Sequence, residues 1–370
     1  RLPLTAYRLP LTAYRLPLSM RTITLIAGDG IGPEVTRAAC AVVLASGAAV
    51  EFDEVVAGQR AEREHGTPLP RAVFDSIAKT RLALKGPTQT PFAGDYRVVV
   101  EHADAAGKSA RRSYPSITIA LRKELNLFVN VRPVRNYPGV ASRFEHVDLV
   151  IFRENSEDLY LGLERMIDEG TAEAVKIISV RGTERVTRFA LDYMKRVGRR
   201  QLTIVHKANV LRMTDGLFLK TAEDIARKHP EFTVNQRVVD AVCMELVMKP
   251  EVYDCLLLPN LYGDIVSDLA AGLVGGLGVT PGANIGTECA TFEAVHGSAP
   301  DIAGKDLANP MAMILSAVMM LRYIGEAAAA DRIDGALTQV LCEKRAITRD
   351  LGGSAGTQAM AEAIVEKLQA

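Results

Sequence analysis

Apolar runs short enough to be strands alternate along this chain with longer amphipathic runs of helical period, and this alternation constrains the fold most. Extended runs are predicted at Thr22–Ala27, Leu149–Phe152, Lys176–Val180, Leu202–Val205 and Tyr253–Leu258. Helices are predicted at Pro33–Ser46, Glu184–Val197, Leu217–Lys228, Ala308–Ala330 and Thr357–Leu368. Strands separated by helical crossovers pair mostly in parallel, which gives an α/β class. At 370 residues, 48% of them hydrophobic, the chain can hold two domains or one large core with an insertion.

Charge and cysteine usage exclude several functions. The 44 basic and 44 acidic side chains cancel, so nothing global favours nucleic acid or a membrane surface as partner. No apolar run approaches the roughly 20 residues that span a bilayer. Cys40, Cys243, Cys255, Cys289 and Cys342 are scattered without a CxxC pair, which argues against a disulfide framework or a zinc site and for a reducing compartment.

The first nineteen residues stand apart. Arg1-Leu-Pro-Leu-Thr-Ala-Tyr7 recurs as residues 8–14 and begins again at Arg15. Arginines and hydroxyls without acids resemble an organelle transit peptide, but a proline in every repeat breaks the amphipathic helix such a peptide needs. The leader is expected to lie outside the fold, with Met20 as the start of the folded chain.

Chemistry concentrates in Asn260-Leu-Tyr-Gly-Asp264-Ile-Val-Ser-Asp268, just after the strand-like Cys255–Leu258. If this segment is helical, Asp264 and Asp268 lie one turn apart on one face. Two facing carboxylates call for a cation, and a hard divalent ion with oxygen ligands suits them. Acids near a positive helix start are the plainer reading. Arg122, Arg132 and Arg153 raise a similar choice. Each could form a structural ion pair, with Glu124, Glu154 or Glu157 for example, or the three could converge on a substrate with several carboxylates. Gly28-Asp-Gly30-Ile-Gly32-Pro33, between a strand and a helix, invites a dinucleotide fingerprint. The glycines are spaced two by two rather than as G-x-G-x-x-G, and Pro33 suits a first helical position, so a nucleotide is not expected there.

The order of motifs then resembles the β-decarboxylating dehydrogenases of the isocitrate/isopropylmalate dehydrogenase family, and within it the NAD-linked isocitrate branch. The motifs are AGDGIGPEV at 27–35, LKGP at 84–87, ALRKEL at 120–125, NVRPVR at 130–135, FRENSEDLY at 152–160, HKAN at 206–209, NLYGDIVSD at 260–268, PGANIG at 281–286 and EAVHGSAPDIAGKDLANP at 293–310. The resemblance implies oxidation of the C2 alcohol of a malate-type acid by hydride transfer, then loss of the β-carboxylate as carbon dioxide. It implies Mg²⁺ or Mn²⁺ held by Asp264, Asp268 and the partner subunit's Asp240. Lys207, also lent by the partner, would take the hydroxyl proton, and Tyr160 would protonate the enol. Arg122, Arg132 and Arg153 would clamp carboxylates, Ser116 and Thr118 would line the substrate, and Asn209 would lie near nicotinamide and substrate. NAD would meet Thr90, Glu293, His296, Gly297, Asp301, Ile302 and Asn309, on a cofactor loop at 293–309.

The implied architecture is a large domain from both chain ends (20–127 and 275–370) and a smaller middle domain (128–274) with an interlocking clasp near 158–179. A tricarboxylic acid substrate, a homodimer or higher homo-oligomer with shared sites, and a bacterial-like cytoplasmic location rather than the mitochondrial matrix are the further expectations. Two departures from the family stand out. Residues 92–115 form an insertion between Thr90-Pro91 and Ser116 that reads as a β-hairpin with a polar tip. Thr118 stands where isocitrate enzymes usually carry asparagine. Ser116 argues against isopropylmalate, whose pocket must be apolar there, whereas Thr118 leaves homoisocitrate open. A non-catalytic regulatory subunit is disfavoured because the tyrosine, lysine and metal aspartates are all present.

Overall fold

The computed structural model describes residues 20–91, 96–103 and 109–369. The repetitive leader and the tip of the predicted hairpin lie outside these. Among the described residues ten strands form one sheet. In spatial order they are Thr233–Val238, Gln201–His206, Cys255–Leu258, Asp148–Glu154, Leu127–Arg135, Pro281–Gly286, Ala290–Ala294, Leu82–Lys85, Arg21–Ile26 and Val50–Val55. The outer pairings on both sides are parallel. The three central ones, on either side of Leu127–Arg135 and between the next two strands, are antiparallel. Five neighbouring strands therefore come from the middle of the sequence and five from its ends, joined where the direction reverses.

Register at this join places polar side chains in two rows on one face. Arg153, Asn130 and Asn284 lie directly opposite one another on three adjacent strands. Two residues along, and so on the same face, come Arg132, then Gly282 paired with Glu293, and Glu293 paired with Lys85. The flanking strand residues are apolar. Leu149, Ile151, Phe152 and Leu256–Leu258 are fully or almost fully inaccessible to solvent. Each such side chain contributes about 1.5–3 kcal/mol of burial, which anchors the polar rows in rigid surroundings. Met311–Ile324 packs across the end-derived strands as a helix buried on nearly all sides.

Two predicted elements are corrected. Residues 175–179 form no ladder, and Val180 already begins the helix Val180–Val197, capped by Ser179, whose hydroxyl accepts from Gly182 N at 3.0 Å. The β-branched run 176–180 resembles a strand, but it serves as an approach to that helix. The predicted helix Ala308–Ala330 is two helices, Met311–Ile324 and Ala327–Glu343, divided at Gly325 with φ 92°. Only glycine adopts that left-handed stop at little cost.

Two small ribbons stand outside the sheet. Val98–Ala103 pairs antiparallel with Ser109–Tyr114, as expected of the insertion. Val98, Val100 and Tyr114 pack onto Ile117, Ala120 and Leu121 of the helix Ile117–Glu124, so the hairpin is part of a second apolar core. Glu164–Asp168 pairs with Thr171–Ala174 in a ribbon exposed on both faces, with Met166 and Ile167 61% and 58% accessible.

Candidate active site

The helix Asn260–Leu273 starts directly after the buried strand Cys255–Leu258 and presents Asp264 and Asp268 one turn apart. Both arginines of the polar rows reach them. Arg153 Nη1 donates to Asp264 Oδ1, and its Nε and Nη2 donate to Asn260 Oδ1 at 3.0 and 2.8 Å. Arg132 reaches Asp264 at 3.3 Å and Asp268 at 3.2 Å. Tyr160, on the short helical turn Asp158–Leu161, donates its hydroxyl to Asp264 Oδ2 and lies under the Arg153 guanidinium at 4.8 Å. Arg132 and Arg153 thus make ion pairs, but with the aspartates of this cluster and not with Glu154 or Glu157.

Asn284 ties the third arginine in. Its Oδ1 accepts from Arg122 Nε at 3.1 Å and from Asn130 and Asn155 at 3.0 Å, while its Nδ2 donates to Glu293 at 2.8 Å. Glu293 is also bound by Lys85 Nζ at 2.6 Å. Four cations, Lys85, Arg122, Arg132 and Arg153, therefore face three carboxylates, Asp264, Asp268 and Glu293.

The charge states follow from this packing. Burial alone would raise the Glu293 carboxyl, but Lys85 and Arg122 outweigh it and hold it at about 2. Burial likewise works to raise Asp264, and Arg153, Arg132 and the Tyr160 hydrogen bond bring it below the usual range. Asp268 goes the other way, since burial and the Asp264 charge exceed the help from Arg132. Burial, then repulsion from Arg153, lowers Arg122 to about 10, which leaves it charged at neutral pH.

Asp264 and Asp268 offer oxygen ligands of the kind a hard divalent cation takes. Among the described residues no group of three or more acidic, histidine or cysteine side chains gathers at one point, so one chain alone supplies two carboxylates. Asp240 is not with them. It pairs with Lys207, and both project toward solvent, with Asp240 64% accessible. Asn209 is exposed in the turn after Lys207. His206 binds Gln236 and Ala208 N and is a satisfied structural histidine.

Some of the remaining candidates border a pocket. Thr118, Arg122 and Arg132 line it from one side, and Lys85, Glu293, His296 and Gly297 from the other. Ser116 caps its helix by accepting from Ile119 N at 3.2 Å, which leaves its own proton free to donate. Burial lowers the His296 imidazole, and its Nε2 is buried without a hydrogen-bond partner among the described residues. Such an atom at a pocket wall suits a polar ligand. Thr90 and Asp301 are exposed, and Ile302 packs on the core. Asn309 is buried and bound to Asp350 and Met311 N, so its side chain braces the loop from behind. The N-terminal glycines serve close packing: a Cβ on Gly30 would sit 1.9 Å from Ser298 O, and one on Gly28 2.1 Å from Pro87 O. That loop buttresses the segment carrying His296.

Sequence reasoning passed over Lys85, Asn130, Asn260 and Asn284 as site residues, although each sits in a quoted motif. Only Lys85 carried a local signal, as a lysine closing the apolar run Leu-Ala-Leu-Lys85, whereas Asn130 and Asn284 act through strand register and Asn260 through the helix start.

A sequence profile of the isocitrate/isopropylmalate dehydrogenase family matches residues 22–364. The chain belongs to that family. Among its relatives, a probable NAD isocitrate dehydrogenase subunit alpha, mitochondrial, of Drosophila melanogaster is 43% identical over 94% of this chain and 88% of its own. An NAD isocitrate dehydrogenase catalytic subunit 5, mitochondrial, of Arabidopsis thaliana is also 43% identical, with the same coverage. The crystal structure of isocitrate dehydrogenase from Methylococcus capsulatus superposes with a TM-score of 0.88 at 47% identity, covering 95% of this chain and 100% of that one. The expectation of a cytoplasmic location is corrected here, because both curated members of the family are mitochondrial by name. Scattered cysteines separate reducing from oxidising compartments and cannot tell one reducing compartment from another.

Proposed function

We propose that this chain is a metal-dependent, NAD-linked isocitrate dehydrogenase that converts isocitrate to 2-oxoglutarate and carbon dioxide. The observation that carries the reading is the convergence of Arg132 and Arg153 on Asp264, with Arg122 close enough to lower the same carboxyl and Tyr160 hydrogen-bonded to it. Three buried guanidinium groups, which together with Lys85 outnumber the three local carboxylates, suit a substrate with several carboxylates. They would hold it by bidentate contacts, and Ser116 would donate to its distal carboxylate.

Mg²⁺ or Mn²⁺ at Asp264 and Asp268 would polarise the C2 oxygen and stabilise the negative charge left by decarboxylation. Lys207 of a second copy would accept the C2 hydroxyl proton as the hydride leaves for NAD. Tyr160 would then return a proton to the carbon that has lost carbon dioxide. Burial raises its phenol, Arg153 opposes this and Asp264 adds to it, and the net shift is upward, so the group is a neutral acid at pH 7.

The same reading gives Lys207 and Asp240 to a neighbouring subunit's site. It is supported by the lack of an ion pair between them and the aspartate pair among the described residues, and by exposed apolar side chains. Met244, Met248 and Ile265 are 53–67% accessible, and the ribbon carrying Met166 and Ile167 is bare on both faces. A second copy is the natural cover for such surfaces. In this reading the ribbon is the clasp of a middle domain, 128–274, packed beside a larger domain from the chain ends.

Thr118 at the pocket wall keeps homoisocitrate as the alternative substrate. Purified protein assayed for NAD reduction with isocitrate, homoisocitrate, isopropylmalate and tartrate tests the assignment. Isocitrate should exceed the others in kcat/KM by at least about tenfold, equivalent to about 1.4 kcal/mol. Preference for homoisocitrate would overturn the substrate while keeping the chemistry, and no turnover of any of the four would overturn both.

A further inference from the structure

Lys176 lies outside the site just described, yet its surroundings lead to the aspartate helix, to Tyr160 and to Lys207. The side chain is 12% accessible. Its ammonium lies 2.6 Å from Asp215, 3.7 Å from Asp158 and 4.3 Å above the ring of Tyr262. Asp158 and Asp215 are both fully inaccessible to solvent. Two buried carboxylates served by one cation form a high-stakes group, because removing the cation leaves uncompensated buried charge.

Each acid holds a different backbone segment with its second oxygen. Asp158 Oδ2 accepts from Leu261 N at 2.9 Å, in the first turn of the helix bearing Asp264 and Asp268. Asp158 also begins the short helical turn that carries Tyr160, in a left-handed conformation with φ 71°. Asp215 Oδ2 accepts from Lys207 N at 2.7 Å. Asp158 Oδ1 is buried without a hydrogen-bond partner among the described residues, so the Lys176 charge is what compensates it. Lys176 itself leads out of the exposed ribbon, and Asp158 N is tied to Ile177 O at 2.8 Å.

We propose that Lys176 is a positioning residue that fixes Tyr160 through Asp158 and Lys207 through Asp215. This rests on the reading in which Tyr160 serves its own subunit's site and Lys207 the neighbour's. One lysine at the root of the ribbon then sets groups in two active sites at once. A shift of this ammonium changes the acid of one site and the base of the other together.

The test uses the full-length enzyme. Lys176→Met should lower kcat at least about tenfold, a transition-state loss of about 1.4 kcal/mol, with KM for isocitrate and metal nearly unchanged. Lys176→Arg should restore most of that rate. Parental kcat in Lys176→Met, or a loss confined to KM, would overturn the positioning role. If Lys176→Met does not fold, Asp158→Asn takes its place. Asparagine tolerates the left-handed backbone and still accepts from Leu261 N, but it no longer holds the ammonium by charge.

Mixed dimers separate the inference from the reading beneath it. Tyr160→Phe paired with Lys207→Ala should regain activity in one of its two sites, and failure there overturns site sharing and the coupling with it. Lys176→Met should regain none with either partner. Recovery with Lys207→Ala would mean that Lys176 acts on Tyr160 alone, and recovery with Tyr160→Phe that it acts on Lys207 alone. Each of these overturns the coupling.

Discussion

Arg153 at the end of one buried strand meets Asp264 in the second turn of the helix that follows the neighbouring strand, and the two side chains are joined by a hydrogen-bonded ion pair. Arg153 is 1% accessible, a position where an unpaired guanidinium would be costly. The pair settles that cost and orders both side chains. Asp264 stays ionised because the arginines outweigh its burial, and Arg153 is locked in the orientation that a substrate carboxylate would meet.

Replacing either helix aspartate should therefore remove chemistry while sparing the fold. Asp264→Asn and Asp268→Asn are expected to lower kcat/KM by at least about a thousandfold, about 4 kcal/mol, with a thermal midpoint close to that of the parent. Chelator-treated parent protein should lose turnover and recover it on adding Mg²⁺ or Mn²⁺. Undiminished rates after chelation would remove the metal from the reading.

Gly263 explains how the arginine passes so close to the helix. A Cβ at this position would lie 2.5 Å from Arg153 Cγ and 2.7 Å from its Cβ. Alanine favours a helix over glycine by about 1 kcal/mol, so propensity alone predicts that Gly263→Ala stabilises. The near end of Arg153 cannot move aside cheaply, and the clash should win. The expected result is no gain in thermal midpoint and a rise in KM for isocitrate of severalfold or more. A stabilised variant with parental KM would show that Arg153 has another route.

Much of the candidate site was legible because it is carried by residue types. Arg122, Arg132, Arg153, Tyr160, Asp264 and Asp268 stood out from the apolar runs around them, and they do converge. The asparagines between them were not legible. Asn130 and Asn284 matter through register, since Asn130 faces Arg153 and Asn284 faces Asn130 on successive strands, and pairing across 154 residues of sequence separation leaves no local trace. The fold class could be read from alternation. The antiparallel join at the sheet centre could not, because both directions require the same buried strands. The run at 176–180 failed as a strand because Lys176 is drawn into a pair of buried acids that lie distant in sequence.

Glu293 should leave an acid signature. Its carboxyl falls from the ordinary 4.5 to about 2 in the folded chain. A depressed acid adds stability that is fully present above the unfolded value and fades as pH falls through the folded one. The window is thus pH 4.5 down to 2, and the contribution at neutral pH is on the order of 3 kcal/mol. Glu293→Gln should lose it, unfold more readily at pH 7, and show a shallower fall in stability over that window. Chemical denaturation at a series of pH values reads both effects, and parallel curves for parent and variant would contradict the assignment.

In the proposed reading, cofactor choice depends on the loop after His296. Asp301 is exposed on the short turn Pro300–Ile302, and Lys305 Nζ is occupied by the Asp301 carbonyl oxygen at 2.7 Å. A carboxylate here can accept from the ribose hydroxyls of NAD and repels the 2′-phosphate of NADP. At about 4 Å and an effective dielectric near 20 a unit-charge pair is worth roughly 4 kcal/mol, and screening at an exposed site leaves about a quarter of it. That remainder alone shifts preference severalfold. NAD is therefore expected to exceed NADP by at least about tenfold in kcat/KM, about 1.4 kcal/mol. Asp301→Lys with Ile302→Tyr should move the ratio toward NADP, because a cation and a hydroxyl then face the phosphate. The measurement is kcat/KM for both cofactors at fixed ionic strength in parent and double variant. Equal use of the two by the parent protein would take Asp301 out of the ribose site.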